Sequence, residues 1–200
     1  GRSHRHYQEP FDVRWLTMAI VQPESERLTY RLLDETDGEF LWELDQCEAV
    51  MRFINGGRKT SRKETNDIFI PRMLSYRNAP AGWGLWQASL KDGDKTALGW
   101  ILVRPHGYFT EQRDDSVIEL GWRFKQDWWG KGYATEAARA VMTYMQTLGA
   151  HSFSAIALPE NTASIHIMKK LGMTFSHTEH YQDQVFNDDI VVYHTDATKP

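Results

Sequence analysis

The chain has 200 residues, 41% apolar and 25% charged, which allows one domain with a full core and excludes a disordered polyelectrolyte. Its formal net charge of −4 leaves no basic excess to hold nucleic acid, so a neutral or cationic partner suits it better. The single cysteine, Cys47, excludes an intrachain disulfide and fits a reducing, cytoplasmic setting.

The apolar stretch 15–21 is far short of the roughly 20 residues a membrane-spanning helix needs. Arg2, Arg5 and Arg14 precede it without the apolar core of a signal peptide. Residues 1–22 therefore read as an extension or tail, with Met18 open as a natural start and His4 and His6 as solvated side chains. Residues 23–196 read as one domain and 197–200 as a second tail.

Residues 27–33 alternate Leu28, Tyr30 and Leu32 against polar neighbours, a strand pattern. Residues 34–37 gather turn formers, and Phe40, Leu41 and Leu44 predict a helix over 38–46. Residues 50–54 are short and apolar and stop at Asn55-Gly56-Gly57. Ser61, with Glu64 three residues on, has the spacing of a capping box for a helix with Ile68, Phe69, Met73 and Tyr76 on its apolar side. Pro71 lacks an N–H and should kink or split that helix.

Strands are expected over 83–90 and 96–103, joined by the turn Lys91-Asp92-Gly93-Asp94. A long polar loop, 105–116, leads to a strand over 117–124. Ala134, Ala137, Ala138, Val141, Met145 and Leu148 recur at helical spacing over 133–148, and Gly149 closes that helix. A strand over 153–158 precedes a helix over 161–171, capped by Asn161 and ended by Gly172. Strands over 173–178 and 189–195 finish the chain. Consecutive strands followed by a strand-helix-strand-helix-strand half imply an α/β fold, with a mixed sheet and helices on both faces.

The informative feature is a strand, a loop with two glycines and a helix, running through Trp128-Trp129-Gly130-Lys131-Gly132-Tyr133-Ala134. The first turn of a helix leaves N–H groups without partners and carries the positive end of the macrodipole, so a pyrophosphate can sit there. Gly130 and Gly132 permit positive φ and close approach of the backbone to a ligand. A Walker loop would need Ser or Thr at 132, and a Rossmann fingerprint a third Gly at 135, where Thr135 stands. A tight strand-to-helix turn without a ligand would use the same glycines.

Four segments in order sharpen this: Ile118-Glu119-Leu120-Gly121-Trp122, residues 129–138, Pro159-Glu160-Asn161-Thr162-Ala163-Ser164, and Lys169-Lys170-Leu171-Gly172-Met173. Together they resemble the GNAT superfamily of N-acetyltransferases. Within it the chain is similar to the Rim-type branch, whose founding members acetylate ribosomal-protein N-termini; the likeness starts at Glu24 and reaches about Thr195. The resemblance implies a single-domain, V-splayed mixed sheet. Acetyl-CoA, as cosubstrate and without a metal, would enter between the strands 117–124 and 153–158. Its pantetheine would pair with backbone at Trp122, Arg123 and Phe124. Its pyrophosphate would meet N–H groups from Gly130, Lys131 and Gly132 to Tyr133, Ala134 and Thr135, with Trp129 beside them. Asn161 and Ser164 would face the pantetheine and thioester. Two positions depart from the superfamily pattern. Asp127 stands where Gln or Arg is preferred, and Met168 where many members carry a Tyr that protonates the thiolate.

Amide formation from a thioester needs a neutral amine, a polarised carbonyl and a proton for the thiolate. With a pKa of about 8, an α-amine is partly neutral at pH 7; a lysine amine, at about 10.4, hardly is. Glu119 is the expected base, directly or through water, and Ser164 the expected acid. The N–H near Trp122 would polarise the carbonyl. His177 and His180 have helical spacing but lie on strand and loop, which argues against a metal site, and Asp183, Asp188 and Asp189 read as a solvated acidic loop, which the resemblance would place near the acceptor. The acceptor is a protein N-terminus or a small amine, with no role for nucleic acid or membrane and a homodimer left open. A non-catalytic acyl-CoA-binding module is the main alternative, and an interaction domain with an exposed sheet edge a third reading.

Overall fold

The computed structural model describes residues 22–196. The expectations for 1–21 and 197–200 lie outside the described residues. Seven strands form one sheet: β1 Leu28–Leu32, β2 Gly84–Leu90, β3 Ala97–His106, β4 Asp114–Phe124, β5 Ser152–Ala157, β6 Thr174–Gln182 and β7 Asn187–Asp196. Their order is β1-β2-β3-β4-β5-β7-β6. Every neighbouring pair is antiparallel except β4–β5, which is parallel. That parallel pairing covers only Val117↔Ser152, Ile118↔Phe153 and Glu119↔Ser154. Beyond Glu119, β4 keeps β3 as its partner as far as Phe124↔Gly99, while β5 continues with β7. The sheet therefore splays where the resemblance places it. Gly99 makes the tight crossing possible, because a Cβ there would lie 2.3 Å from the Arg123 carbonyl oxygen.

Five helices cover the two faces. Among the described residues they are α1 Gly38–Leu44, α2 Glu48–Asn55, a composite α3 from Arg62 to Tyr76, α4 Tyr133–Thr147 and α5 Thr162–Lys170. In α4, Ala137, Ala138 and Val141 are wholly buried and Met145 nearly so, in one core with Leu28, Ile101, Val103, Leu120 and Phe153. A fully buried Val or Met side chain contributes about 1.5–3 kcal/mol. The opposite face buries Leu41 and Leu44 of α1 and Ile70, Met73 and Tyr76 of α3 against Leu33, Leu85 and Trp100.

Three elements differ from the sequence reading. Residues 50–54 belong to helix α2, which ends at Gly56 in the left-handed conformation (φ 81°). In α3 the expected capping box is present at Ser61 and Glu64, but Pro71 does not split the helix. The helix runs as Arg62–Glu64, a π segment Thr65–Phe69, and Ile70–Tyr76. The widened turn lets the Ile70 N–H reach the Thr65 carbonyl, and Pro71 falls in the first turn that follows, where its missing N–H costs least. The loop over 105–116 is shorter than its polarity suggested, because β3 reaches His106 and β4 begins at Asp114. Asp114, Asp115 and Ser116 are exposed, so no apolar alternation marks them as strand.

Candidate active site

The loop after β4 is held open by its own backbone. A 3₁₀ turn, Gln126–Trp128, follows the strand, and the Trp129 indole N–H donates to the Phe124 carbonyl (2.9 Å). Gly130 (φ 73°) and Gly132 (φ 78°) are both left-handed. No atom lies within 4 Å of where a Cβ on Gly130 would be, and only the Arg27 guanidinium, at 3.6 Å, approaches that point on Gly132. Helix α4 starts without a side-chain cap. Its first helical hydrogen bond is from Glu136 N–H to Gly132 O (3.0 Å). The N–H groups of Tyr133, Ala134 and Thr135 have no acceptor among the described residues. Uncapped donors at the positive end of a 15-residue helix, beside two unoccupied Cβ positions, fit an anionic pyrophosphate.

A carboxylate in this first turn would repel such an anion, and Glu136 is neutralised. It pairs with Arg27 (2.6 Å) and accepts from the Arg27 N–H and the Ser25 hydroxyl. Burial alone would raise its pKa, but these hydrogen bonds outweigh that and hold it below the ordinary carboxylate value.

The loop opens on a cleft of about 1200 Å³. Of the expected cofactor residues, Trp122, Arg123, Phe124, Trp129, Gly130, Gly132, Tyr133, Ala134, Thr135 and Asn161 line it. Lys131 does not; it is exposed, with its ammonium 5.0 Å from the centre of the Trp128 ring. The Arg123 side chain is tied to Asp45 (2.7 Å) and lies over Trp100, so only its main chain is free to meet a ligand. Asn161 caps α5 by accepting the Ser164 N–H (3.2 Å), and Ser164 also lines the cleft. Met168 is fully buried in the core and Asp127 is exposed, so neither faces the cleft. The sequence reading missed the wall made by α2 and the turn after it, including Val50, Arg52, Phe53 and Arg58. The amphipathic run ending in Gly56-Gly57 was the available signal.

Glu119 lies in a second, smaller cavity of about 430 Å³. It is buried and paired with Arg104 across β3–β4 (3.3 Å), and Arg104 is equally buried. His106, Phe109, Ile156 and Tyr181 share this cavity. Beneath it, Asp183 accepts from Arg72 (2.7 Å), from the Tyr181 hydroxyl and from the Val185 and Phe186 N–H groups. Burial would raise the Asp183 pKa, but these donors hold it low. Burial pushes the Tyr181 hydroxyl above its usual value. Asp183 is thus a structural hub rather than part of a solvated acidic loop, whereas Asp189 is exposed and bonds His180 (2.7 Å). Among the described residues no group of three or more His, Cys, Asp and Glu is placed to hold a metal, and no helix is long and apolar enough to cross a membrane. The splay thus brings Ser164 together with the cofactor loop, while Glu119 stands in a separate cavity on the same strand that supplies residues 122–124.

A family model described as an acetyltransferase (GNAT) domain matches residues 27–174. The chain is 30% identical to the uncharacterized N-acetyltransferase YnaD of Bacillus subtilis, over 74% of this chain and 80% of that protein. A GNAT-family acetyltransferase from Bacillus anthracis superposes with a TM-score of 0.65 at 27% identity, covering 86% of this chain and 96% of the other. RimL, a ribosomal L7/L12 α-N-protein acetyltransferase solved with coenzyme A, superposes with a TM-score of 0.68 over 88% of this chain and 97% of its own. At 16% identity, that last likeness shows the fold. The chain belongs to the GNAT acetyltransferases, enzymes that take their acetyl group from acetyl-CoA.

Proposed function

We propose that residues 23–196 form an N-acetyltransferase domain, which transfers the acetyl group of acetyl-CoA to a primary amine by direct attack on the thioester. The acceptor is a protein N-terminus or a small amine. The observation that carries this reading is the split in the sheet, which has an uncapped, glycine-led helix start on one side and a cavity holding a buried carboxylate on the other. Acetyl-CoA supplies an activated acyl carbon and a thiolate leaving group. The N–H groups of Tyr133, Ala134 and Thr135 hold its pyrophosphate, and the main chain of Trp122–Phe124, left without β5 as a partner, holds its pantetheine. Ser164 lines the same cleft, with its backbone N–H bonded to the Asn161 side chain, and its hydroxyl donates the proton to the thiolate. Glu119, directly or through water, engages the amine as it sheds its proton.

Buried Met168, in place of a tyrosine, favours one other reading: an acyl-CoA-binding module without turnover. Two measurements separate the readings. A rise in melting temperature with acetyl-CoA is expected for both, and its absence defeats both. Release of free CoA with a panel of N-terminal peptides, polyamines and aminoglycosides is expected only for the enzyme.

A further inference from the structure

We infer that His106 is the group on which the amine proton comes to rest, with the Arg104–Glu119 pair acting ahead of it to position the amine; this rests on the acetyltransferase reading. His106 ends β3 at an irregularity in its pairing with β4: Pro105 lies opposite Ile118, but His106 lies opposite Asp114. Such bulges re-aim side chains, and this one leaves His106 lining the same cavity as Glu119. The ring is not left to rotate. Its Nδ1 lies 2.7 Å from the hydroxyl of Ser154, which is 2% exposed and sits directly opposite Glu119 in the β4–β5 pairing. With Nδ1–H donated to Ser154, the lone pair is on Nε2, for which no hydrogen-bond partner exists among the described residues.

Glu119 is a poorer resting place. A proton there would remove the charge that balances Arg104, whose only ion-pair partner among the described residues is Glu119. A proton on His106 leaves the buried pair intact, and imidazole is the side chain suited to take up and release a proton near neutrality. The charged and titratable groups around it are Glu111 and Asp114 from the β3–β4 hairpin, Arg104 and Glu119 from the strands, and Glu179, His180 and Tyr181 from β6. In the step, an ammonium N–H bond breaks and its electron pair stays on nitrogen for attack. The proton forms an N–H bond at Nε2, directly or across a water, and the imidazolium later returns it to solvent.

The test is the pH dependence of CoA release by wild type, His106→Ala, Ser154→Ala and Glu119→Gln, from about pH 6 to 9, with the best acceptor of the amine panel. His106→Ala should lower kcat about 100-fold at neutral pH and lose the acid limb set by the enzyme, leaving only that of the amine's own deprotonation, with the KM for acetyl-CoA nearly unchanged. Added imidazole should restore its turnover saturably. Ser154→Ala should lose about tenfold and keep the limb, as a positioning residue would. Glu119→Gln should lose about 100-fold, by the same factor at every pH, and also keep the limb. An enzyme-set acid limb that survives in His106→Ala and vanishes in Glu119→Gln overturns the inference and returns the proton to Glu119. Should His106→Ala fail to melt cooperatively, His106→Gln is judged by the same limb. A wild type that turns over no amine defeats the acetyltransferase reading, and this inference with it; a His106 variant with wild-type turnover defeats the inference alone.

Discussion

The two sides of the split sheet are made of different chemistry. The side proposed to hold the cofactor is mostly main chain: unpartnered N–H groups on α4, two left-handed glycines and a strand edge that β5 has left. The side proposed to take the acceptor is mostly side chain: a buried Arg104–Glu119 pair, His106 held by Ser154, and the Asp183 hub. A main-chain site tolerates exchange of most residues but not a change of backbone conformation. A side-chain site keeps its backbone after substitution and loses its chemistry. Variants on the two sides should therefore fail differently, the first in affinity and the second in turnover.

The largest effect belongs to the acceptor side. Glu119→Gln should lower turnover about 100-fold while leaving the acetyl-CoA melting shift in place. A loss that closes as pH rises, centred near pH 8 for an α-amine or above about pH 10 for a lysine-like one, would mark Glu119 itself as the proton acceptor. Next is Gly132→Val, which forces a branched side chain into a left-handed position against Arg27. Calorimetry should show acetyl-CoA affinity reduced at least about tenfold, or 1.4 kcal/mol; unchanged affinity in a folded variant would break the main-chain account.

Ser164→Ala sharpens the boundary, since Ser164 is a side chain on the cofactor side. Turnover should fall about tenfold and more than the KM for acetyl-CoA rises; a change confined to KM would make it a binding residue. The last effect concerns stability and leaves rate and affinity aside. The Asp183 pKa is lower folded than unfolded, so its contribution is full above about pH 4 and is lost as pH falls through the folded value. Asp183→Asn should cost about 1.5 kcal/mol near neutrality, and melting curves of the two proteins should converge on acidification.

What the sequence disclosed follows the same division. Helix α4 was legible because its apolar residues recur over four turns, and the cofactor loop because its glycines and helix start are contiguous. Helix α2 was not assigned, since four apolar residues around Arg52 carry too little period to separate helix from strand. The acceptor cavity was nearly illegible. It takes one residue each from β3, β4 and β5 and several from the β3–β4 hairpin and β6, which only the folded sheet brings together. Glu119 was singled out through resemblance, yet its pairing with Arg104 depends on a cross-strand register. His106 was hidden in a segment read as loop, and Asp183 looked like one more acid in a polar turn.

The brevity of the β4–β5 pairing has a consequence for solvent exchange. Leu120 and Phe124 are almost wholly buried, yet the main chain between them has lost its neighbour on one side. Those amides of β4 that point away from β3 should exchange deuterium as quickly as an edge strand does, in the middle of a seven-stranded sheet. A ligand lying along the gap would slow them selectively, so amide exchange at Leu120–Phe124 reports occupancy of the cleft with no acceptor present.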